Sequence, residues 1–157
     1  SQGKAIIKND SLMWYIDTPG EKNYEDASNY CNKLKAEGYS DWQLPSLNKL
    51  RTIFVGCEQV KDPSFCDLDS FVESALKGDC SCKGKTEFKL DCYWDSVFDA
   101  KQCSKYWTST VLRKSCKGGC PFFIDFAEGS IVAASPLNKY NFFCVREITK
   151  KDEKKSK

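Results

Sequence analysis

The chain has 157 residues, long enough for one domain with a sizeable core, and 41% of them are hydrophobic and 13% aromatic. Its formal net charge is +2, and Lys150 to Lys157, five Lys against Asp152 and Glu153, supply +3 of it, which leaves the body near −1. Such a body argues against nucleic-acid binding, and with no histidine anywhere, Ser-His-Asp, Cys-His and His-metal chemistries are excluded.

The ten cysteines (Cys31, Cys57, Cys66, Cys80, Cys82, Cys92, Cys103, Cys116, Cys120 and Cys144) run through the whole chain. An even, scattered set reads as a disulfide framework formed in an oxidising compartment. Zinc is the rival: Cys116-x₃-Cys120 fits a ligand pair, but Cys80-x-Cys82 is too tight and no histidine completes a mixed site. No apolar run approaches the ~20 residues that span a bilayer, so direct membrane insertion is not expected. A chain starting at Ser1 is expected to be a mature or trimmed piece with an export signal upstream of it.

In chain order, Ala5-Ile6-Ile7 reads as a first strand and Leu12 to Asp17 as a second, separated by the Asn9-Asp10-Ser11 turn and closed by Thr18-Pro19-Gly20. Asn23 caps a helix whose Tyr24, Ala27, Tyr30/Cys31 and Leu34 recur at helical spacing, and Gly38 is expected to end it. Tyr39 to Pro45 is a turn with Trp42 as its anchor. Ser46 then caps a second helix carrying Leu47, Leu50, Ile53 and Phe54. From Gly56 to about Ser104 periodicity fails and six cysteines fall among Asp, Lys, Gly and Ser, as in a loop region braced by bridges; a short helix over Leu68 to Leu76 is the one element expected there. Strands return at Tyr106–Leu112, Phe122–Ala127, Ser130–Ala134 and Phe142–Ile148, with Glu128-Gly129 as a hairpin turn. The whole is α+β: two helices packed on antiparallel sheet, with a domain over residues 1–148 and a charged, disordered tail over 149–157.

Five stretches, in this order, resemble the Lcl C-terminal domain family, named for the end domain of a bacterial collagen-like adhesin. They are Asp10-x-Leu12-Met13-Trp14; Ala27-x-x-Tyr30-Cys31-x-x-Leu34; Gly38-Tyr39-Ser40-Asp41-Trp42-Gln43-Leu44-Pro45-Ser46; Tyr106-Trp107-Thr108-Ser109-Thr110; and Cys144-Val145-Arg146. The likeness runs from about residue 9 to 147. Gln43 stands where the family usually has Arg, Ser46 where it has Thr and Thr108 where it has Ser. The resemblance implies a C-type-lectin-like fold with its ends close together, on an exported bacterial protein placed outside the cell, on its surface or in the periplasm. It also implies that Cys31 and Cys144, which sit in family motifs, pair with each other.

That scaffold hosts sugar binding, protein binding and catalysis, so function has to come from residues. Calcium-dependent lectins carry Glu-Pro-Asn or Gln-Pro-Asp with Trp-Asn-Asp, and neither is present, so no metal or other cofactor is expected. No two cysteines stand apart as the copper-binding pair of a formylglycine-generating oxidase. Cys116 and Cys120, either side of Lys117-Gly118-Gly119, are expected to bridge each other, with a bond to the Cys57–Cys103 region as the alternative; Cys57 with Cys66 is expected as a local pair. Trp14, Trp42 and Trp107 read as core. Trp94, in the variable region, is a candidate for stacking on a sugar. Lys101, Lys105, Arg113, Lys114 and Lys117 flank the Tyr106 strand, either as a solvated face or as an anion-binding patch. The expected function is an extracytoplasmic adhesion or ligand-binding module for a protein or a glycan, with anionic glycans bound without calcium as the natural partners. A structural end domain of a surface fibre, which oligomerises and binds nothing, is the second reading, and an enzyme is the third.

Overall fold

The computed structural model describes residues 6–9, 11–55, 92–113 and 116–155. Its strands are β1 (Ile6–Asn9), β2 (Leu12–Tyr15), β3 (Lys105–Leu112), β4 (Cys120–Asp125), β5 (Ser130–Ala133) and β6 (Cys144–Glu147), and its helices are α1 (Tyr24–Lys33), α2 (Leu47–Arg51) and α3 (Lys150–Lys155). Two antiparallel three-stranded sheets, ordered β1-β2-β6 and β3-β4-β5, with the helices beside them, give the α+β architecture. Pairing of β2 with β6, with Trp14 opposite Val145 and Tyr15 opposite Cys144, brings the two ends of the fold together.

Period-two alternation divides the core in two. Leu12, Trp14, Tyr106, Phe122, Ile124 and Val145 go to one cluster with Leu47 and Leu50 of α2; Met13, Trp107, Phe123 and Cys144 go to the other with Ala27 and Cys31 of α1. Both faces of the strands are therefore covered. Each large side chain so buried contributes roughly 1.5–3 kcal/mol. Edge-to-face and tilted ring pairs, such as Tyr106–Phe143 at 4.4 Å and Trp94–Phe126 at 5.3 Å, fix the geometry of the first cluster.

Local chemistry sets the helix starts. Asn23 Oδ1 accepts the Asp26 N–H at 2.8 Å, and Ser46 Oγ accepts the Lys49 N–H at 3.1 Å. Helix α1 ends at Lys33, short of the expected stop at Gly38. Gly38 serves a different turn: Ala36 and Tyr39 exchange backbone hydrogen bonds around Glu37 (φ 55°) and Gly38 (φ 81°), a reversal that needs positive φ at both central residues. The strand pattern Tyr-Trp-Thr-Ser-Thr contains a bulge between Trp107 and Val111. There Thr108 is fully buried and donates its hydroxyl to Phe122 O at 2.9 Å, while Thr110 Oγ1 accepts the Leu47 N–H at 2.9 Å and ties β3 to the start of α2.

The tail departs from expectation. Residues 150–155 are helical because Thr149 and Asp152 cap each other reciprocally: Thr149 N–H donates to Asp152 Oδ2 at 2.8 Å and Asp152 N–H to Thr149 Oγ1 at 3.2 Å. Asp152 also takes a hydrogen bond from Arg146 at 3.0 Å. A tail without apolar residues cannot bury a stripe, but one capping acid bound to a buried cation orders its first turn.

The chain leaves the described fold at Val55 and re-enters beside it. Val55 N–H donates to Tyr93 O at 2.8 Å, Asp95 N–H to Ile53 O at 3.0 Å, and Phe54 bridges Trp94. The expected short helix over 68–76 and the Cys57–Cys66 pair lie outside the described residues.

Candidate binding surface

The six cysteines of the described residues are all paired. Cys31 on α1 joins Cys144 on β6, with Cα atoms 5.4 Å apart, and Cys116 joins Cys120 across the turn before β4. In that turn Gly118 and Gly119 have φ of 87° and 94°, and a Cβ at Gly119 would sit 2.5 Å from Val111 Cγ1. The Cys92–Cys103 bridge was not foreseen in the sequence. It closes around the 3₁₀ turn Ser96–Phe98, and nothing in the spacing singles out that pair among the inner cysteines.

Trp94 is corrected from a sugar-stacking candidate to a core residue. It is 3% exposed, packs against Phe98, Tyr106, Phe126 and Phe143, and donates its indole N–H to Asp99 at 3.1 Å. No ring face is left for a ligand. Trp14, Trp42 and Trp107 are likewise buried.

The four described basic residues, Lys101, Lys105, Arg113 and Lys117, do not converge. Lys105 opens β3 and Arg113 follows its last residue, roughly 25 Å apart at the rise of a strand. Lys101 stays at the Lys105 end, where it pairs with Asp17 at 3.6 Å. Arg113 and Lys117 are exposed at the far end, by the Cys116–Cys120 turn. Lys114 lies outside the described residues.

Lys105 has the more specific surroundings. Its Nζ lies 5.5 Å from the ring centres of both Phe123 and Tyr140. Those rings are 4.6 Å apart, and Trp107 packs on Tyr140 at 4.7 Å. Asp125, opposite Lys105 on β4, directs its Oδ1 to the Ala127 and Glu128 N–H groups of its own turn. The Lys105 ammonium has no ion pair or hydrogen bond among the described residues. Sequence reasoning missed Tyr140 and its neighbours Lys22 and Asn138, since they fall between periodic elements and only tertiary pairing brings them to β3. Lys22 and Tyr140 exchange both backbone hydrogen bonds, at 2.9 and 3.1 Å, and Asn138 Nδ2 donates to the Tyr140 hydroxyl at 3.0 Å.

Arg146 is the other cation on a ring, 3.6 Å from the centre of Tyr39. Its Nε and Nη2 donate to Asp41 at 2.7 and 3.2 Å and its Nη2 also to Asp152 at 3.0 Å, with the side chain only 4% exposed. The Arg146 guanidinium draws the Asp41 carboxyl below its ordinary value. The Thr149 N–H and, after it, Arg146 hold Asp152 down to about 2. Burial pushes the Tyr106 phenol up, and its hydroxyl donates to Gln102 O at 2.7 Å. Among the described residues no group of three or more Asp, Glu, His or Cys side chains is placed to hold a metal ion.

The motif residues thus have physical roles. Tyr39, Asp41 and Arg146 form one stacked ion pair. The exposed Gln43, where the family has Arg, works through its backbone, which exchanges hydrogen bonds with Val145 at 3.0 and 2.8 Å. Ser46 and Thr108 keep the hydroxyls that their positions use.

Among curated proteins none matches the chain. The crystal structure of the snake venom toxin convulxin is similar at 17% identity, over 95% of this chain and 99% of that one, with a TM-score of 0.41. A model of the Lcl C-terminal domain family matches residues 8–146, nearly the full length, and the chain belongs to that family.

Proposed function

We propose that the chain is an extracytoplasmic recognition module, not an enzyme, that binds anionic glycans without calcium. The observation that supports this most is Lys105, a cation held over two aromatic rings with its N–H donors unused among the described residues. Its chain lies in a sheet, so it meets a ligand with little further loss of freedom. The paired cysteines fit an oxidising compartment. Asp41 and Asp152, two carboxylates that do converge, do so on Arg146, whose guanidinium hydrogen-bonds to both.

The test is retention of the purified chain on immobilised heparin with EDTA present throughout. Retention at low salt that weakens as screening rises is expected, with Lys105→Ala eluting earlier. A wild type that passes straight through at low salt, or one that needs added calcium to bind, overturns the reading.

A further inference from the structure

We infer that the ligand seat is centred on Tyr140, with Lys22 and Lys105 gripping an anionic sugar from its two sides; this rests on the anionic-glycan reading above. The backbone around residues 140–141 acts as an extra strand between two partners. On one side Lys22 and Tyr140 are directly opposed in an antiparallel bridge, which places their side chains on the same face. On the other side Asn141 N–H donates to Lys105 O at 3.0 Å and Trp107 N–H to Asn141 O at 3.0 Å, a parallel bridge centred on Tyr106. In that register Lys105 and Trp107 share the face of Tyr140, as the ring contacts show.

Lys22, Tyr140 and Lys105 therefore stand side by side, two strand spacings or roughly 10 Å from first to last. Trp107 fixes the row from below, its indole N–H donating to Lys22 O at 2.9 Å. Tyr140 is half-buried, against Trp107 and Phe123. The Lys22 ammonium, like that of Lys105, has no partner among the described residues. A half-buried ring between two unpaired ammonium groups suits a sugar that stacks on the ring and carries sulfate or carboxylate to either side. The Asn138 carboxamide, bonded to the phenol, adds a neutral donor and acceptor at the rim.

The experiment is a titration of the full chain with a heparin-derived sulfated oligosaccharide at low salt, followed by calorimetry and by the ring-proton shifts of Tyr140. Lys22→Ala and Lys105→Ala should each weaken binding about 3- to 10-fold. Lys139→Ala should change nothing, because the Asn138–Tyr140 contact leaves Lys139 on the other side. Tyr140→Ala removes a packed ring and threatens the fold, so Tyr140→Phe, expected within about twofold of wild type, keeps the stacking face under test. Wild-type binding that survives Lys22→Ala and Lys105→Ala but falls in Arg113→Ala or Lys117→Ala overturns this seat and leaves the glycan reading intact. Weakening in Lys22→Ala with Tyr140 shifts unmoved also overturns it, since the ring is then not at the contact. No binding by the wild type at low salt overturns the glycan reading and the seat together.

Discussion

Arg146 and Lys105 are both cations laid on aromatic rings, and they have opposite fates. Arg146 sits 3.6 Å above Tyr39 with two carboxylates on its N–H groups and 4% of its side chain exposed. Lys105 sits 5.5 Å from two rings with no carboxylate paired to it among the described residues. The first has spent its hydrogen-bonding capacity inside the fold, apart from Nη1, which is buried without a partner. The donors of the second have no partner among the described residues, and it is these that we propose meet a ligand. Ring contact alone therefore does not distinguish the two cations; the state of their donors does.

The largest effect should come from the bridge two residues before Arg146. Closing a loop across a separation of 113 residues, Cys31–Cys144 is worth about 4–5 kcal/mol in the chain-entropy model. The double variant Cys31→Ala, Cys144→Ala should lose most of that in denaturant unfolding, and a loss below about 1 kcal/mol would mean that the ion pair alone holds the two ends. Arg146→Leu comes next, with a clear fall in melting temperature expected as Asp41 and Asp152 lose the cation they share. If Lys105→Met costs as much, the distinction between the two cations fails.

Acid should weaken the Arg146 cluster. Asp41 and Asp152 both have carboxyls lowered from 3.8 on folding, Asp152 to about 2, so the stability they give is complete above pH 4 and is lost as pH falls from there towards 2. Melting temperature followed over that range should drop in the wild type and drop less in Asp152→Asn. The smallest expected effect is on Lys105 itself: Lys105→Met should shift stability by less than about 1 kcal/mol while lowering heparin retention.

The helix caps at Asn23 and Ser46, the Glu128-Gly129 turn and the alternation of the strands were legible because each depends on neighbours in sequence. Gly38 was legible as a stop signal and misassigned, since positive φ suits a helix end and a two-residue reversal equally. Trp94 could not be placed from sequence. Its burial comes from Phe98, Tyr106, Phe126 and Phe143, three of them well later in the chain, and its own stretch carries no periodicity. The basic stretch Lys101–Lys117 looked like one patch because sequence distance hides the length of a strand. Lys22 and Tyr140 come from positions more than a hundred residues apart, joined only by a backbone bridge.

The stem at Val55 and Tyr93 has a consequence for stability. Both strands of the stem are fixed by the fold itself, through Ile53–Asp95 and Tyr93–Phe126 hydrogen bonds and the Cys92–Cys103 bridge. The points at which the chain leaves at Val55 and returns at Cys92 are thus held side by side by the described fold. Doubling the length of a flexible insert adds only about 0.6 kcal/mol of closure entropy. A change of chain length between those two points should therefore cost the sheets and helices little stability.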